Sequence, residues 1–204
     1  MDFVTIRERR IRLSPPWYRL RLGRWLHFEV YQLSALLNRY DRILYLDGDV
    51  LLTPFCPNLI DLVPAGRLGC VLEDTGPTWW ERWEELARAQ RALGPLAHKP
   101  DGYFNVGVMV LDESHRVIFD LDACPPVGGR WPMQTTVNYH VRRLELPLER
   151  LDPRCNLLSV FTESWNETAL RRSAWVIHYA GSKYRPVMSE DAPHVTAAWE
   201  AILG

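Results

Sequence analysis

Two aspartates one residue apart, Asp47 and Asp49, lie in the apolar segment RILYLDGDVLL at residues 42–52. Alternate residues at the end of an extended strand can point the same way, so both carboxylates could reach one partner. Carboxylate oxygens suit hard divalent cations such as Mg²⁺ and Mn²⁺. Many such pairs act instead in turns or helix caps, so the pair alone leaves a metal site and a structural turn both open.

A second group of candidate residues follows an apolar segment near the C-terminus. His178 supplies an imidazole, which suits Mn²⁺ better than Mg²⁺, although a histidine at a strand end is often purely structural. Gly181, Lys183 and Arg185 follow it closely. A glycine that lets backbone N–H groups approach, together with a cationic side chain, can bind a diphosphate. A basic surface turn is the alternative interpretation.

Hydrophobic periodicity predicts the elements that must position these residues. The predicted strands are 43–46, 68–72, 103–112, 144–148 and 175–179, and the predicted helices are 24–40, 79–93, 134–141 and a last helix opened by Pro193. The run at 43–46 reads as a buried parallel strand. In the helix 79–93, the face formed by Trp79, Trp83, Leu86 and Leu93 is predicted to pack in the core.

The strand 103–112 has a clear alternation of side chains. Strict alternation places Phe104, Val106, Val108 and Val110 on one face, and Asn105, Gly107 and Met109 on the other. Strands that alternate with helices indicate an α/β layer architecture, in which ligands bind beyond the carboxyl ends of the strands. Asp47, Asp74 and His178 each lie at or just past such an end, which predicts a common site.

Length and charge limit the classes of function. The 204 residues suit a single domain, expected as a basic segment 1–23, a core 24–188 and a C-terminal helix 189–204. A net charge of −1 argues against nucleic acid as a partner. The four cysteines have neither zinc nor disulfide spacing and are expected to be reduced. No apolar run is long enough to span a membrane.

Seven arginines cluster near the N-terminus: Arg7, Arg9, Arg10, Arg12, Arg19, Arg21 and Arg24. They are interpreted as a solvated surface, with a face for anionic lipid or phosphate as the alternative. The reduced cysteines lead us to expect a cytoplasmic protein. The arginine cluster adds peripheral contact to a membrane surface as a second possibility. The sequence leaves the oligomeric state open.

Five segments together resemble glycosyltransferase family 8, the group that includes glycogenin and the bacterial lipopolysaccharide galactosyltransferases. The segments are YDRILYLDGDVLL (40–52), YFNVGVMVLD (103–112), QTTVN (134–138), LDPRCN (151–156) and HYAGSKYRP (178–186). Each segment is a modest match, but all five occur in the order of the family's motifs.

The resemblance implies an A-type glycosyltransferase fold, with a mixed central sheet flanked by helices. It also implies retaining, metal-dependent transfer of a hexose from a nucleotide sugar, usually UDP-linked, to a glycan, lipid or protein acceptor. The implied roles are Mn²⁺ or Mg²⁺ binding by Asp47, Asp49 and His178; catalysis by Gln134 and Asp74; and donor binding by Asn105, Gly107, Gly181, Lys183 and Arg185.

Several features depart from the family pattern. Family members normally carry further residues upstream of the first motif, so we expect this chain to lack the part that contacts the base and ribose. Met133 stands where the family usually has an aspartate before the glutamine. Because Lys183 lies one residue early, either Lys183 or Arg185 could bind the phosphate.

Two other functions fit parts of the sequence. The segment YLDGDVL also resembles haloacid-dehalogenase-like phosphatases, in which the first aspartate is a nucleophile, but the Gly-Thr and late acidic pair of that family are not found. A non-catalytic, degenerate glycosyltransferase-like module that binds a sugar or a partner is the stronger alternative.

Overall fold

A computed structural model describes residues 32–73, 79–159 and 171–203 of the chain. The helices are α1 (Leu33–Leu36), α2 (Trp79–Leu93), α3 (Pro132–Arg143) and α4 (Arg185–Leu203). The strands are β1 (Arg42–Leu46), β2 (Val50–Leu52), β3 (Leu68–Leu72), β4 (Phe104–Asp112), β5 (Leu148–Arg150), β6 (Leu157–Leu158) and β7 (Val176–His178). Short 3₁₀ helices span Glu113–Phe119, Pro153–Asn156 and Ser182–Tyr184.

The strands form two mixed sheets. The larger sheet has the order β1-β4-β3-β5, in which β4 is antiparallel to both neighbours and β3 is parallel to β5. The smaller sheet has the order β2-β7-β6, with β2 antiparallel and β6 parallel to β7. Because β1 belongs to one sheet and β2 to the other, residues 47–49 cross from one sheet to the other.

The prediction of a buried parallel strand at 43–46 is partly wrong. The strand exists as Arg42–Leu46, but it pairs antiparallel to β4 and is only half-buried. An apolar run marks a strand without fixing its direction. Among the described residues, β1 pairs with β4 alone. The predicted strand 144–148 is also displaced, because α3 ends in a turn in which Leu146 N–H donates to Val141 O. The strand begins only at Leu148.

The central strand β4 does not alternate as predicted. Phe104, Val106, Met109 and Leu111 pack in one core cluster, whereas Val108 and Val110 pack in the other. The pairing with β3 is irregular here: β3 advances from Gly69 to Val71 while β4 moves from Val110 to Asn105. An odd number of extra residues in one strand reverses which face its side chains reach. Asn105 and Gly107 are thereby separated from Met109.

The helices also differ from their predicted faces and ends. α2 has the predicted bounds, and Leu86 packs in a core cluster with Trp83 and Leu93 beside it. Trp79, however, is 50% exposed, because the buried face of α2 includes the polar residues Arg82 and Glu85. The last helix begins at Arg185, so Pro193 lies inside α4 and does not open it.

Several predictions lie outside the described residues or are only partly covered by them. Asp74, the N-terminal arginines and most of the predicted helix 24–40 are among them. The four cysteines are free, as expected. Within 32–73, 79–159 and 171–203, no helix has both the length and the apolar character that crossing a bilayer requires.

A buried ion pair holds α4 against the strand that ends at His178. Asp191 of α4 is 1% exposed and accepts hydrogen bonds from Arg171 Nε at 2.7 Å and from Tyr179 Oη at 2.9 Å. Burial works to raise the pKa of Asp191, but the hydrogen bonds from Arg171 and Tyr179 and the arginine charges lower it below the ordinary value. The pair therefore stabilises the fold most when Asp191 is ionised.

We expect Asp191→Asn to destabilise the protein by about 3–5 kcal/mol, because it leaves Arg171 buried without its carboxylate. Urea denaturation measures the loss. Because the pKa of Asp191 is lowered in the fold, the difference from wild type should be full near neutral pH and shrink as pH falls below the ordinary carboxyl value of 3.8. Glu149→Gln, which removes a half-exposed pair to Arg67 at 3.6 Å, is the control and should cost at most about 1 kcal/mol. Equal costs for the two variants would contradict this assignment.

Candidate functional site

The segment Asp47-Gly48-Asp49 is fixed by hydrogen bonds to both sheets. Asp47 N–H donates to Gly107 O of β4 at 2.8 Å, and Tyr179 N–H donates to Asp49 O at 2.9 Å. The pairing of Val50 with His178 then places the end of β7 beside the second aspartate. The local strand pairing thus brings residues far apart in the sequence to one point between the sheets.

Asp47, Asp49 and His178 form a compact group at this point. One ligand atom from each lies within 4.8 Å of the others. His178 Nε2 is 3.2 Å from Asp49 Oδ1 and 3.8 Å from Asp47 Oδ2. The histidine side chain is 3% exposed, whereas those of Asp47 and Asp49 are 30% and 37% exposed. The group therefore opens to solvent on its carboxylate side.

Neighbouring groups orient Asp47 and shift the pKa of Asp49. Tyr45 Oη donates to Asp47 Oδ1 at 2.7 Å, which leaves Oδ2 directed at His178. Burial works to raise the pKa of Asp49, but the neighbouring His178 and backbone N–H groups lower it below the ordinary value. Two carboxylate oxygens and one imidazole nitrogen suit a divalent cation such as Mn²⁺, and the open side leaves room for further ligands.

Gly107 makes this close approach possible. A side-chain carbon at this position would collide with His178 Cε1 and lie 2.8 Å from Asp47 Oδ2. The site therefore needs a residue without a side chain at this point of β4. This contact gives a steric reason for the glycine in the YFNVGVMVLD segment.

A buried amide network extends from Gly107 away from the aspartates. Gly107 N–H donates to Asn105 Oδ1 at 2.8 Å, and Asn105 Nδ2 donates to Gln134 Oε1 at 3.0 Å. Gln134 Nε2 donates in turn to Glu73 Oε2 at 2.7 Å. Asn105 and Gln134, both predicted site residues, thus lie in one network that adjoins the candidate metal group.

Glu73 and Arg82 complete this network and were not among the predicted site residues. Glu73 is 5% exposed, and Arg82 forms a close ion pair with it through Nε and Nη2. The Arg82 guanidinium also lies 3.9 Å from the centre of the Trp131 ring. Glu73 lies at the end of β3, where the sequence predicts site residues, but the family pattern points to the neighbouring Asp74. Arg82 gave no signal, because its face of α2 was expected to be apolar.

Asn156 is a further site residue that the sequence analysis did not single out. It ends the segment LDPRCN and is fully buried. Its Oδ1 lies 2.8 Å from His178 Nδ1, and its Nδ2 donates to Asn105 Oδ1 at 3.0 Å. Its place in that motif was visible, but only the fold shows that it contacts the histidine.

The glycine-containing turn after His178 lies beside the carboxylates. Gly181 has φ of 105°, a conformation that favours glycine, and its N–H hydrogen-bonds to Asp49. Lys183 is exposed, with Nζ 4.7 Å from the Tyr184 ring centre, and Arg185 is an exposed residue that opens α4. Met133, by contrast, packs in the hydrophobic core.

Comparisons with known proteins concern both the sequence and the fold. The profile described as glycosyl transferase family 8 matches residues 19–115, which include the two aspartates, Asn105 and Gly107. No curated protein matches the chain. The structure of the galactosyltransferase LgtC in complex with donor and acceptor sugar analogues is similar, with a TM-score of 0.53 and 17% identity over 90% of this chain and 71% of that one. Apo mouse xyloside xylosyltransferase 1 gives a TM-score of 0.42 and 18% identity over 76% of this chain and 63% of that one.

The structural likeness confirms the predicted A-type glycosyltransferase fold, a mixed α/β architecture flanked by helices. This fold gives no support to the phosphatase alternative. In this fold, Asp47 lies in the link between two sheets and directs its carboxylate toward His178. The predicted sites at residues 47, 49, 105, 107, 134 and 178 lie in one connected region.

We expect Gly107→Ala to destabilise the protein by about 1–3 kcal/mol, because the new carbon must displace His178 or Asp47. Gly48→Ala is the matched control, since a carbon at that position meets nothing within 4 Å. Replacing a glycine where alanine fits is neutral or stabilises by about 0.4–1 kcal/mol. Urea denaturation of the two variants distinguishes the effects, and equal stabilities would show that the contact at Gly107 is not restrictive.

Proposed function

We propose, on the premise that residues 19–115 belong to glycosyl transferase family 8, that this glycosyltransferase is metal-dependent and moves a hexose with retention from a UDP-linked donor. The acceptor would be a glycan, a lipid or a protein. The observation that carries the proposal is the convergence of Asp47, Asp49 and His178 at the junction of the two sheets. The family match supports the class of reaction, and this group of residues supports its dependence on a metal.

Asp47, Asp49 and His178 would hold Mn²⁺, with Mg²⁺ as the alternative. When bound, such a cation offsets the negative charge that develops on a diphosphate leaving group. The exposed carboxylate edges face the side from which the diphosphate would approach. The close contact at Gly107 keeps the histidine and the first aspartate in the arrangement that this role requires.

We assign the diphosphate contact to Lys183, with Arg185 as the alternative. The N–H of Gly181 already bonds to Asp49, so this glycine acts mainly by tying the turn to the carboxylates. Lys183 lies two residues further on and is exposed, so its ammonium is free of the burial that fixes His178. A cation at this position would stabilise the departing phosphate as a point charge.

The amide network would bind the donor sugar and support the reacting carbon. Gln134 Oε1 accepts one hydrogen bond from Asn105 and retains a second lone pair, which can stabilise positive charge developing at the anomeric carbon. Glu73 fixes the other end of Gln134 through a hydrogen bond from Nε2. Asp74, the residue after Glu73, is proposed as a further contact to the sugar.

Asp49→Ala or His178→Ala should lower UDP release from UDP-hexoses in the presence of Mn²⁺ by at least about 100-fold, because the leaving charge loses its main stabilisation. Turnover is measured as UDP formed without added acceptor and with mixed glycan acceptors. Asp41→Ala is the matched control, because it removes an exposed aspartate six positions before Asp47 and should leave turnover unchanged. A non-catalytic binding module would bind the donor and release no UDP in any variant. If no UDP-hexose binds at millimolar concentration, the proposal is wrong.

Mn²⁺ should also stabilise the folded protein by mass action, by about 2.7 kcal/mol at a concentration of 100 times Kd. For a chain of this size, that corresponds to a rise in Tm of roughly 5–11 °C. Differential scanning calorimetry with and without Mn²⁺ measures the shift. The double variant Asp47→Ala/His178→Ala should lose the shift, and an equal shift in wild type and double variant would rule out this metal site.

A further inference from the structure

We infer that Asn156 is a positioning residue that holds His178 in the Nδ1–H tautomer and so presents a bare Nε2 to the two aspartates. The inference follows from a chain of hydrogen bonds that begins at a backbone N–H group and ends at the imidazole. The inference rests on the proposed function, because an unprotonated Nε2 is needed only if His178 binds a cation in the metal site proposed above.

The donor-to-acceptor direction of these hydrogen bonds is set at Gly107. A backbone N–H can only donate, so the Asn105 atom that it meets at 2.8 Å is the carbonyl oxygen. The opposite end of Asn105 is fixed independently. Glu73 is held by Arg82 as an acceptor, so Gln134 donates to it through Nε2 and turns Oε1 toward Asn105 Nδ2.

The orientation of Asn105 then determines that of Asn156. Asn105 Oδ1 accepts from Asn156 Nδ2 at 3.0 Å. The remaining end of the Asn156 amide is its oxygen, and this atom faces His178 Nδ1 at 2.8 Å. An oxygen at this distance requires a proton on Nδ1. In the neutral ring, Nε2 is therefore left as a lone pair beside Asp49 and Asp47.

The aspartates alone would favour a proton on His178 Nε2, and Asn156 acts against that tautomer. Asp49 Oδ1, 3.2 Å from Nε2, is an ionised acceptor that would favour a proton on that nitrogen. Turning the Asn156 amide over to suit that tautomer would bring its oxygen against Asn105 Oδ1, which is pinned by Gly107. The amide chain therefore keeps the imidazole ready for a cation, in the way that outer-sphere hydrogen bonds orient metal-binding histidines.

A second buried histidine provides an internal reference. His140 Nε2 lies 3.0 Å from Pro125 O, and a backbone carbonyl can only accept. His140 is therefore expected in the opposite tautomer, with its proton on Nε2. Because it lies on α3 and contacts a different part of the chain, it also reports on folding in each variant.

The test is long-range ¹H–¹⁵N correlation spectroscopy of the metal-free protein labelled in histidine, at a pH where the rings are neutral. Wild type should show Nδ1–H for His178 and Nε2–H for His140. Asn156→Ala should move His178 to the Nε2–H form and leave His140 unchanged. An Nε2–H signature for His178 in wild type overturns the inference, and so does an unchanged His178 spectrum in Asn156→Ala. If that variant does not fold, the wild-type spectrum alone decides.

Mn²⁺ affinity, measured by the loss of free Mn²⁺ in electron paramagnetic resonance spectra, links the tautomer to the metal. Asn156→Ala should weaken binding by about 10–100-fold. Equal Mn²⁺ affinity in wild type and Asn156→Ala overturns the positioning role while leaving the proposed function intact. If wild type binds no Mn²⁺ but shows the expected tautomers, the proposed function fails and the hydrogen-bond assignment stands.

Discussion

The arrangement of the site depends on one short crossing between two sheets. Residues 47–49 leave β1 and enter β2, and each of the two aspartates shares a backbone hydrogen bond with a different sheet. Moving either sheet relative to the other would separate Asp47 from His178, because they belong to opposite sides of the junction. The absence of a side chain at Gly107 lets the two sides meet. The packing of the two sheets therefore also fixes the distance between Asp47 and His178.

The polar groups behind this junction are buried, which is costly unless every group finds a partner. Glu73 meets this requirement with a close ion pair to Arg82 and hydrogen bonds from Gln134 and Asn105. Arg82 is further covered by the Trp131 ring. Because each amide has one end fixed by a group that only donates or only accepts, the network has a single consistent orientation. Such a network contributes more to rigidity and to a fixed orientation of the amide side chains than to the net free energy of folding.

The sequence predicted the parts of the site that depend on local order along the chain. The strand ends placed Asp47 and His178 at a common edge, and the motif order predicted the A-type fold. What escaped prediction depended on pairing between distant strands. The irregularity between β3 and β4 reverses the face of Met109 relative to Asn105, and no pattern within β4 reveals it. Arg82 lies on a helix face that periodicity predicts to be apolar. Its burial depends on its partner Glu73, which comes from another element, so the sequence of α2 alone does not reveal it.

In the proposed metal site, the ligands come from separate parts of the chain. Residues of one segment approach from one direction only, so a cation held by Asp47 and Asp49 would take a further ligand, such as a nitrogen, from another direction. That nitrogen belongs to His178 on β7, beyond the residues that match the family profile. The matched part therefore provides the charge, whereas the later part provides the imidazole and the amide of Asn156 that orients it. In the proposed metal site, neither part supplies all three ligands, and they meet at the junction of the two sheets.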